Sequence, residues 1–97
     1  NLVSSVMPSI FGKDAENNFI KFFENLKKNK FPTDKIMNYY YFQVNRWDLE
    51  LINGKIIKLP ALKISEAIEK SIQLLNREDF KTYKVIDLRI DGKIVVE

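Results

Sequence analysis

The sequence predicts an α+β domain in which an antiparallel or mixed sheet carries both of its helices on one face. Two stretches, near 15–29 and 63–76, have apolar residues at helical spacing, and short β-prone runs lie between and after them. Together they give the order α-β-β-β-α-β-β, without an internal repeat. A chain of 97 residues can bury one modest core, so we assign residues 1–97 to a single domain.

The first helix follows a stretch, residues 1–12, that we expect to be irregular because Pro8 and Gly12 interrupt it. Asp14 suits the N-cap of the helix, and the lysines near its end match the helix dipole. The apolar residues of the helix form one stripe that predicts core packing: Ala15, Phe19, Phe22, Phe23 and Leu26. We expect the helix to end before Pro32.

The aromatic-rich run 36–43 predicts the first strand of the sheet. Continuing it to Ile52 would exceed the usual strand length, so we place a turn or bulge at 44–46. In the next strand, alternation puts Trp47 in the core and leaves Asp48 and Glu50 on a solvated face.

A hairpin then follows, because Asn53-Gly54 is typical of a type I′ turn with positive φ at both central residues. Its return strand is predicted at 55–59, closed by Pro60. The second helix then buries an apolar stripe that consists of Ile64, Ala67, Ile68, Ser71, Ile72 and Leu75.

The chain ends in a second predicted hairpin. Its first strand spans 85–90, with Asp87 and Arg89 on the outward face, and Asp91-Gly92 turns into a last strand at 93–97. A terminal strand that lies at a sheet edge offers unpaired backbone groups to another chain. This favours a binding surface rather than a reaction centre.

The composition lowers the expectation of catalysis. The chain has no cysteine and no histidine, which removes thiol nucleophiles, the usual general base and the commonest metal ligand. We therefore predict no catalytic residue, no metal and no cofactor. The net charge of +3 is mild, which favours a solvated lysine-rich surface over a patch that follows nucleic-acid phosphates.

The sequence has no apolar run of the roughly 20 residues that a membrane span needs. It also has no signal peptide and starts at Asn1 without an initiator methionine. We expect it to be a piece of a longer precursor whose targeting or anchoring segment lies upstream.

The ordered motifs resemble the C-terminal β domain of the FtsQ/DivIB family of bacterial cell-division proteins. They are Trp47-x-Leu49-x-Leu51, Gly54, Ile57-x-Leu59-Pro60, a helix, Ile86-Asp87-Leu88-Arg89 and a last hairpin. The segment 6–12 is also similar to the family's Leu-Pro-x-Leu-x-Gly segment before the first helix, with Met-Pro and Phe-Gly in its place.

The resemblance implies a non-catalytic scaffold domain on the periplasmic side of the bacterial inner membrane. The parent protein would have a short cytoplasmic tail, one membrane helix and a POTRA domain upstream of this domain. In the family, the β domain recruits the division partners FtsB and FtsL, and a segment of FtsB adds a β-strand to the last strand.

Carried over residue by residue, the resemblance makes Arg89 a clamp for a partner carboxylate and places Ile90 where the enterobacterial type of the family has tyrosine. The augmented strand would present Lys93, Ile94, Val95 and Val96. Arg46 is the nearest candidate for a second family arginine, which precedes the tryptophan.

An alternative function is single-stranded nucleic-acid binding by the cluster at 39–42, Tyr-Tyr-Tyr-Phe. Exposed aromatic side chains on a sheet in a basic domain can stack on bases. Strand alternation leaves at most half of them on one face, and we expect the others to pack under the first helix. We favour protein partners and no nucleic acid.

Overall fold

A computed structural model describes residues 8–97 and shows a six-stranded mixed sheet with two α-helices. The helices are α1 (Ala15–Lys28) and α2 (Ile64–Leu75). The strands are β1 (Ser9–Phe11), β2 (Ile36–Phe42), β3 (Arg46–Leu51), β4 (Ile56–Lys58), β5 (Val85–Asp87) and β6 (Val95–Val96). Residues 1–7, which include part of the expected lead-in and of the family-like segment 6–12, lie outside the described residues.

The strands lie in the sheet in their order along the chain, from β1 to β6. The β1–β2 and β4–β5 pairs are parallel, while the β2–β3, β3–β4 and β5–β6 pairs are antiparallel. Each parallel pair is separated in sequence by one helix, as parallel connections require. The predicted α+β class and the two helices on one face are confirmed.

Aromatic side chains of α1 pack on the inner face of β2 and β3. The Trp47 ring lies parallel to the Phe22 ring at 4.8 Å between centroids, and Phe19 meets Tyr39 edge-on at 4.8 Å. Tyr39 and Trp47 are 1% and 4% exposed, so the predicted core role of the tryptophan is confirmed. Such pairs add about 0.5–1.5 kcal/mol each beyond the area they bury.

Helix α1 ends as predicted before Pro32, in a Schellman motif. The Phe31 amide donates to the carbonyl of Leu26 at 2.9 Å and the Lys30 amide donates to that of Lys27 at 3.0 Å. At the other end, Asp14 is the N-cap residue, but its φ is +67° and its side chain makes no capping hydrogen bond. The position was predicted correctly and the capping chemistry was not.

The hairpin between β3 and β4 differs from the predicted type I′ turn. Asn53 does not have positive φ; Gly54 alone does within this turn, at +91°. The Gly54 amide donates to the carbonyl of Leu51, and Leu51 in turn donates to Lys55. This is a three-residue loop with glycine in the left-handed position.

Helix α2 completes the core. Ala67, Ile68, Ser71 and Leu74 are buried. Three members of the predicted stripe, Ile64, Ile72 and Leu75, pack on the core while partly exposed. Leu74 was not predicted to be buried.

Strand β1 corrects the expectation that residues 1–12 are irregular throughout. It pairs in parallel with β2, and the Phe11 ring stacks on Tyr40 at 5.3 Å between centroids. Gly12 follows at φ +119°, and a Cβ there would lie 2.3 Å from the carbonyl oxygen of Tyr41. Glycine is therefore required where the chain leaves the sheet for α1.

Across residues 8–97, neither helix has the length and apolar character that spanning a bilayer requires.

Candidate partner-binding site

Strand β6 lies at one end of the described sheet and pairs only with β5 within it. Glu97 and Val85 exchange both backbone hydrogen bonds, at 3.1 and 3.2 Å. Hydrogen-bonded and non-hydrogen-bonded pairs alternate along an antiparallel ladder, so the next pair, Val96 and Ile86, is not hydrogen-bonded. The amide and carbonyl of Val96 therefore point away from β5, toward the open side.

The predicted side chains around β6 divide between the surface and the core. Ile90, Ile94 and Val95 are 58%, 42% and 43% exposed, and Lys93 is also exposed. Val96 is half-buried and packs against the core. In β6, therefore, the Val96 backbone faces the open edge of the sheet, while the Val95 side chain is the one exposed to solvent.

A groove of about 580 Å³ lies beside β6, between the start of α2 and the loop before the strand. Leu88, Ile90 and Ile94 line one wall, and Pro60 and Leu62 line the other. Leu62 is 80% exposed. This second wall was not predicted from the sequence, where the only signal for it is a leucine in the short segment between Pro60 and the helix.

Arg89 forms a bidentate ion pair with Asp87, in which Nε and Nη2 donate to the two carboxylate oxygens at 2.9 and 2.7 Å. The hydrogen bonds from Arg89 hold the pKa of the Asp87 carboxyl below its usual value. A guanidinium has five N–H donors, so Arg89 keeps donors on its other edge. Its side chain is 42% exposed, which leaves that edge accessible.

Arg46 is less accessible than Arg89. Its Nη1 donates to Asp48 at 2.6 Å, and its guanidinium carbon lies 4.2 Å from the centre of the Phe42 ring. The two charged side chains are 18% and 13% exposed. Removing Arg46 would leave the Asp48 carboxylate buried and unpaired, which is costly.

The expectation of a solvated face at Asp48 and Glu50 is wrong for Asp48, because the residue as a whole, backbone included, is 9% exposed. Burial raises the pKa of its carboxyl, and the positive charge of Arg46 partly opposes that rise. Glu50 is half-buried and accepts hydrogen bonds from Asn38 and Tyr40, each at 2.8 Å. These bonds lower the pKa of Glu50.

One row of directly opposed residues on neighbouring strands crosses the sheet, and the two predicted arginines form ion pairs with acidic residues in this row. The row runs through Phe11, Tyr40, Asp48, Lys58, Asp87 and Val95. Arg46 pairs with Asp48 and Arg89 pairs with Asp87. The row therefore carries alternating charges toward β6, on the face opposite the helices.

A family model described as "Cell division protein FtsQ/DivIB, C-terminal" matches residues 1–89, which is most of the chain. The chain belongs to this family.

The names of curated relatives are consistent with membership of the FtsQ/DivIB family. Proteins named "Cell division protein FtsQ" from Rhizobium meliloti, Rhizobium radiobacter and Agrobacterium fabrum are 26%, 27% and 27% identical over 94–96% of the chain. The chain spans 30%, 45% and 30% of their lengths. The family model stops at Arg89, so the geometry of β6 stands on the structure alone.

The aromatic cluster of this FtsQ/DivIB domain is divided between the two faces of the sheet, and Phe42 is 39% exposed on the outer face. Tyr39 and Tyr41 are buried at 1% and 7% exposure, which confirms that part of the run packs inward. Tyr40 is stacked on Phe11 and bonded to Glu50. Phe42 lies under the guanidinium of Arg46.

Residues 8–97 of the FtsQ/DivIB domain contain no group of three or more acidic side chains that could hold a metal ion.

Proposed function

We propose that this domain is a non-catalytic scaffold of the division machinery that binds an extended segment of a partner protein along β6. The observation that carries the proposal is the outward direction of the Val96 amide and carbonyl at the edge of the described sheet. An added strand forms backbone hydrogen bonds with such groups, and alternate side chains provide specificity.

Arg89 supplies the electrostatic part of this recognition. Its unused donors can take a carboxylate of the partner while Asp87 still holds the other edge of the guanidinium. A planar, bidentate contact fixes the register of the added strand. Arg46 is a weaker candidate, since its side chain is only 18% exposed.

The groove beside β6 receives an apolar side chain of the same partner segment. Its walls expose Leu62, Ile90 and Ile94, and its rim carries the Lys63–Asp91 ion pair, with a distance of 3.1 Å between Nζ and Oδ2. Burying an apolar side chain there adds affinity in proportion to the area removed from water. Lys93 also lines the groove.

The partner class that fits is a membrane-proximal division protein of the FtsB or FtsL kind. The parent protein would span the bacterial inner membrane once, upstream of this domain, and place the domain in the periplasm. Membership of the FtsQ/DivIB family and the relatives' longer chains support this arrangement.

The proposal is tested by titrating the domain with a peptide from the extracytoplasmic end of the FtsB-like partner. We expect Arg89→Glu to weaken binding at least about tenfold, since it replaces an attractive contact with a repulsive one. Arg77→Glu is the matched control, because Arg77 makes the same bidentate pair with Asp79 away from β6, at 3.0 and 2.6 Å.

Equal losses in the two variants would contradict the clamp, and unchanged binding in Arg89→Glu would do the same. Salt-sensitive binding to single-stranded DNA that Tyr40→Ala abolishes would favour the nucleic-acid alternative instead. We expect no such binding, because Tyr40 is already stacked on Phe11.

A further inference from the structure

A second cleft, of about 570 Å³, lies at the opposite end of β4 from the groove beside β6. It is enclosed by the segment that follows α1, the β3–β4 hairpin, the last turn of α2 and the segment that follows α2. Leu51, Ile72, Leu75 and Phe80 form an apolar floor. We refer to it as the lysine cleft because four lysines line it: Lys30, Lys35, Lys55 and Lys81.

The lysine cleft carries positive charge that its own residues do not neutralise. None of its lining residues is acidic. Within residues 8–97, Lys30, Lys35 and Lys55 have no carboxylate within ion-pairing distance, and Lys81 has only a 3.6 Å contact with the exposed Glu78. Residues 1–7 contain no acidic side chain.

Lys55 is held in place without losing its charge. Its Nζ donates to the backbone carbonyls of Phe80 and Tyr83. Carbonyl oxygens are neutral acceptors, so the ammonium keeps its full positive charge and one further donor. A fixed cation loses little side-chain entropy when it binds an anion.

Lys30 occupies a backbone position that usually belongs to glycine. It is the residue after the C-cap in the Schellman motif of α1, with φ +63°. A side chain costs stability in this left-handed conformation. The Lys30 side chain therefore lines the cleft from a conformation that carries this cost.

We propose that the lysine cleft binds an acidic polypeptide segment that also carries aliphatic side chains. The lysines would pair with glutamate or aspartate side chains, and the apolar floor would accept the aliphatic ones. This proposal does not depend on β6. The lysine cleft would be a second contact surface for a division partner, separate from the strand edge.

The apolar floor distinguishes this occupant from other polyanions. A single-stranded nucleic acid needs exposed aromatic faces, and Phe80, the one aromatic residue of the lining, is half-buried with a ring 4.9 Å from the guanidinium carbon of Arg77. An anionic membrane surface attracts basic segments through its charge, and an apolar floor between the lysines adds nothing to that attraction.

The test uses a fluorescent peptide of four Glu-Glu-Leu repeats and a neutral peptide of four Gln-Gln-Leu repeats. We expect the acidic peptide to bind in a salt-sensitive manner, and the Lys35→Gln/Lys55→Gln variant to bind it about tenfold more weakly. Lys13→Gln/Lys21→Gln is the control, because it makes the same charge change at exposed positions outside the cleft.

Lys30→Gly separates binding from folding. We expect its melting temperature to rise, because glycine adopts positive φ without strain, while its affinity for the acidic peptide falls. Equal losses in the two double variants, equal binding of the neutral peptide, or tighter binding of a thymidine oligonucleotide or of anionic vesicles would each overturn the proposal.

Discussion

β1 and β6 both lie at an edge of the described sheet, and their surroundings differ in charge and in packing. β1 has no charged side chain, is anchored by the Phe11–Tyr40 stack, and turns at Gly12 against the backbone of Tyr41. β6 lies between Lys93 and Glu97, beside Arg89 and an open groove. The comparison indicates that one edge secures the fold and the other is equipped for recognition.

The largest effect is expected at the β1 edge. Gly12→Ala would place a Cβ 2.3 Å from the carbonyl oxygen of Tyr41, on a residue with φ +119°. The backbone cannot yield there without shifting β2, so we expect a loss of about 2 to 4 kcal/mol in the free energy of unfolding. Urea denaturation measures it, and a loss below about 0.5 kcal/mol would show that β1 does not secure the fold.

At the β6 edge, two proline variants separate binding from folding. Val96→Pro removes an amide that points to the open side, where an edge strand tolerates proline. We expect it to weaken binding of the partner peptide about tenfold, or about 1.4 kcal/mol, with a smaller loss of stability from the changed side chain.

Val95→Pro is the matched variant, because the Val95 amide points toward β5 in the alternating ladder. It removes a hydrogen bond of the fold itself, so its melting temperature should fall more than that of Val96→Pro. Circular dichroism compares the two. The reverse order would contradict the direction that we assign to the Val96 backbone.

A smaller and pH-dependent effect is expected for Asp87→Asn. The pKa of Asp87 lies below its unfolded value of 3.8, because Arg89 donates hydrogen bonds to the carboxylate. The pair therefore stabilises the fold above that value, and the stabilisation is lost as the pH falls through the lowered pKa. Asp87→Asn should be less stable than the wild type at pH 7, with the difference shrinking below pH 3.8.

The helices and most core residues could be predicted from the sequence, because apolar spacing in α1 and alternation in β3 reflect one buried face each. β1 could not, since a three-residue parallel strand has no local pattern and depends on its distant partner β2. The turn at Asn53-Gly54 was found, and its type was wrong because one glycine at positive φ suffices for a three-residue loop.

The same distinction between local patterns and contacts of distant segments applies to the candidate site. Arg89 and Asp87 were predicted to share a face because a spacing of two residues is local. The burial of Asp48 depends on Arg46 and on neighbouring strands, and the groove depends on Leu62 and the loop before β6 lining the same space. Such contacts between distant segments have no signature in either segment alone.

Amide hydrogen exchange at Val96, followed by NMR with and without saturating partner peptide, tests the strand-addition account most directly. The account predicts fast exchange of this amide in the free domain and strong protection in the complex, with exchange in β1 unchanged. Protection of Val96 in the free domain, or a saturated complex in which it still exchanges rapidly, would contradict it.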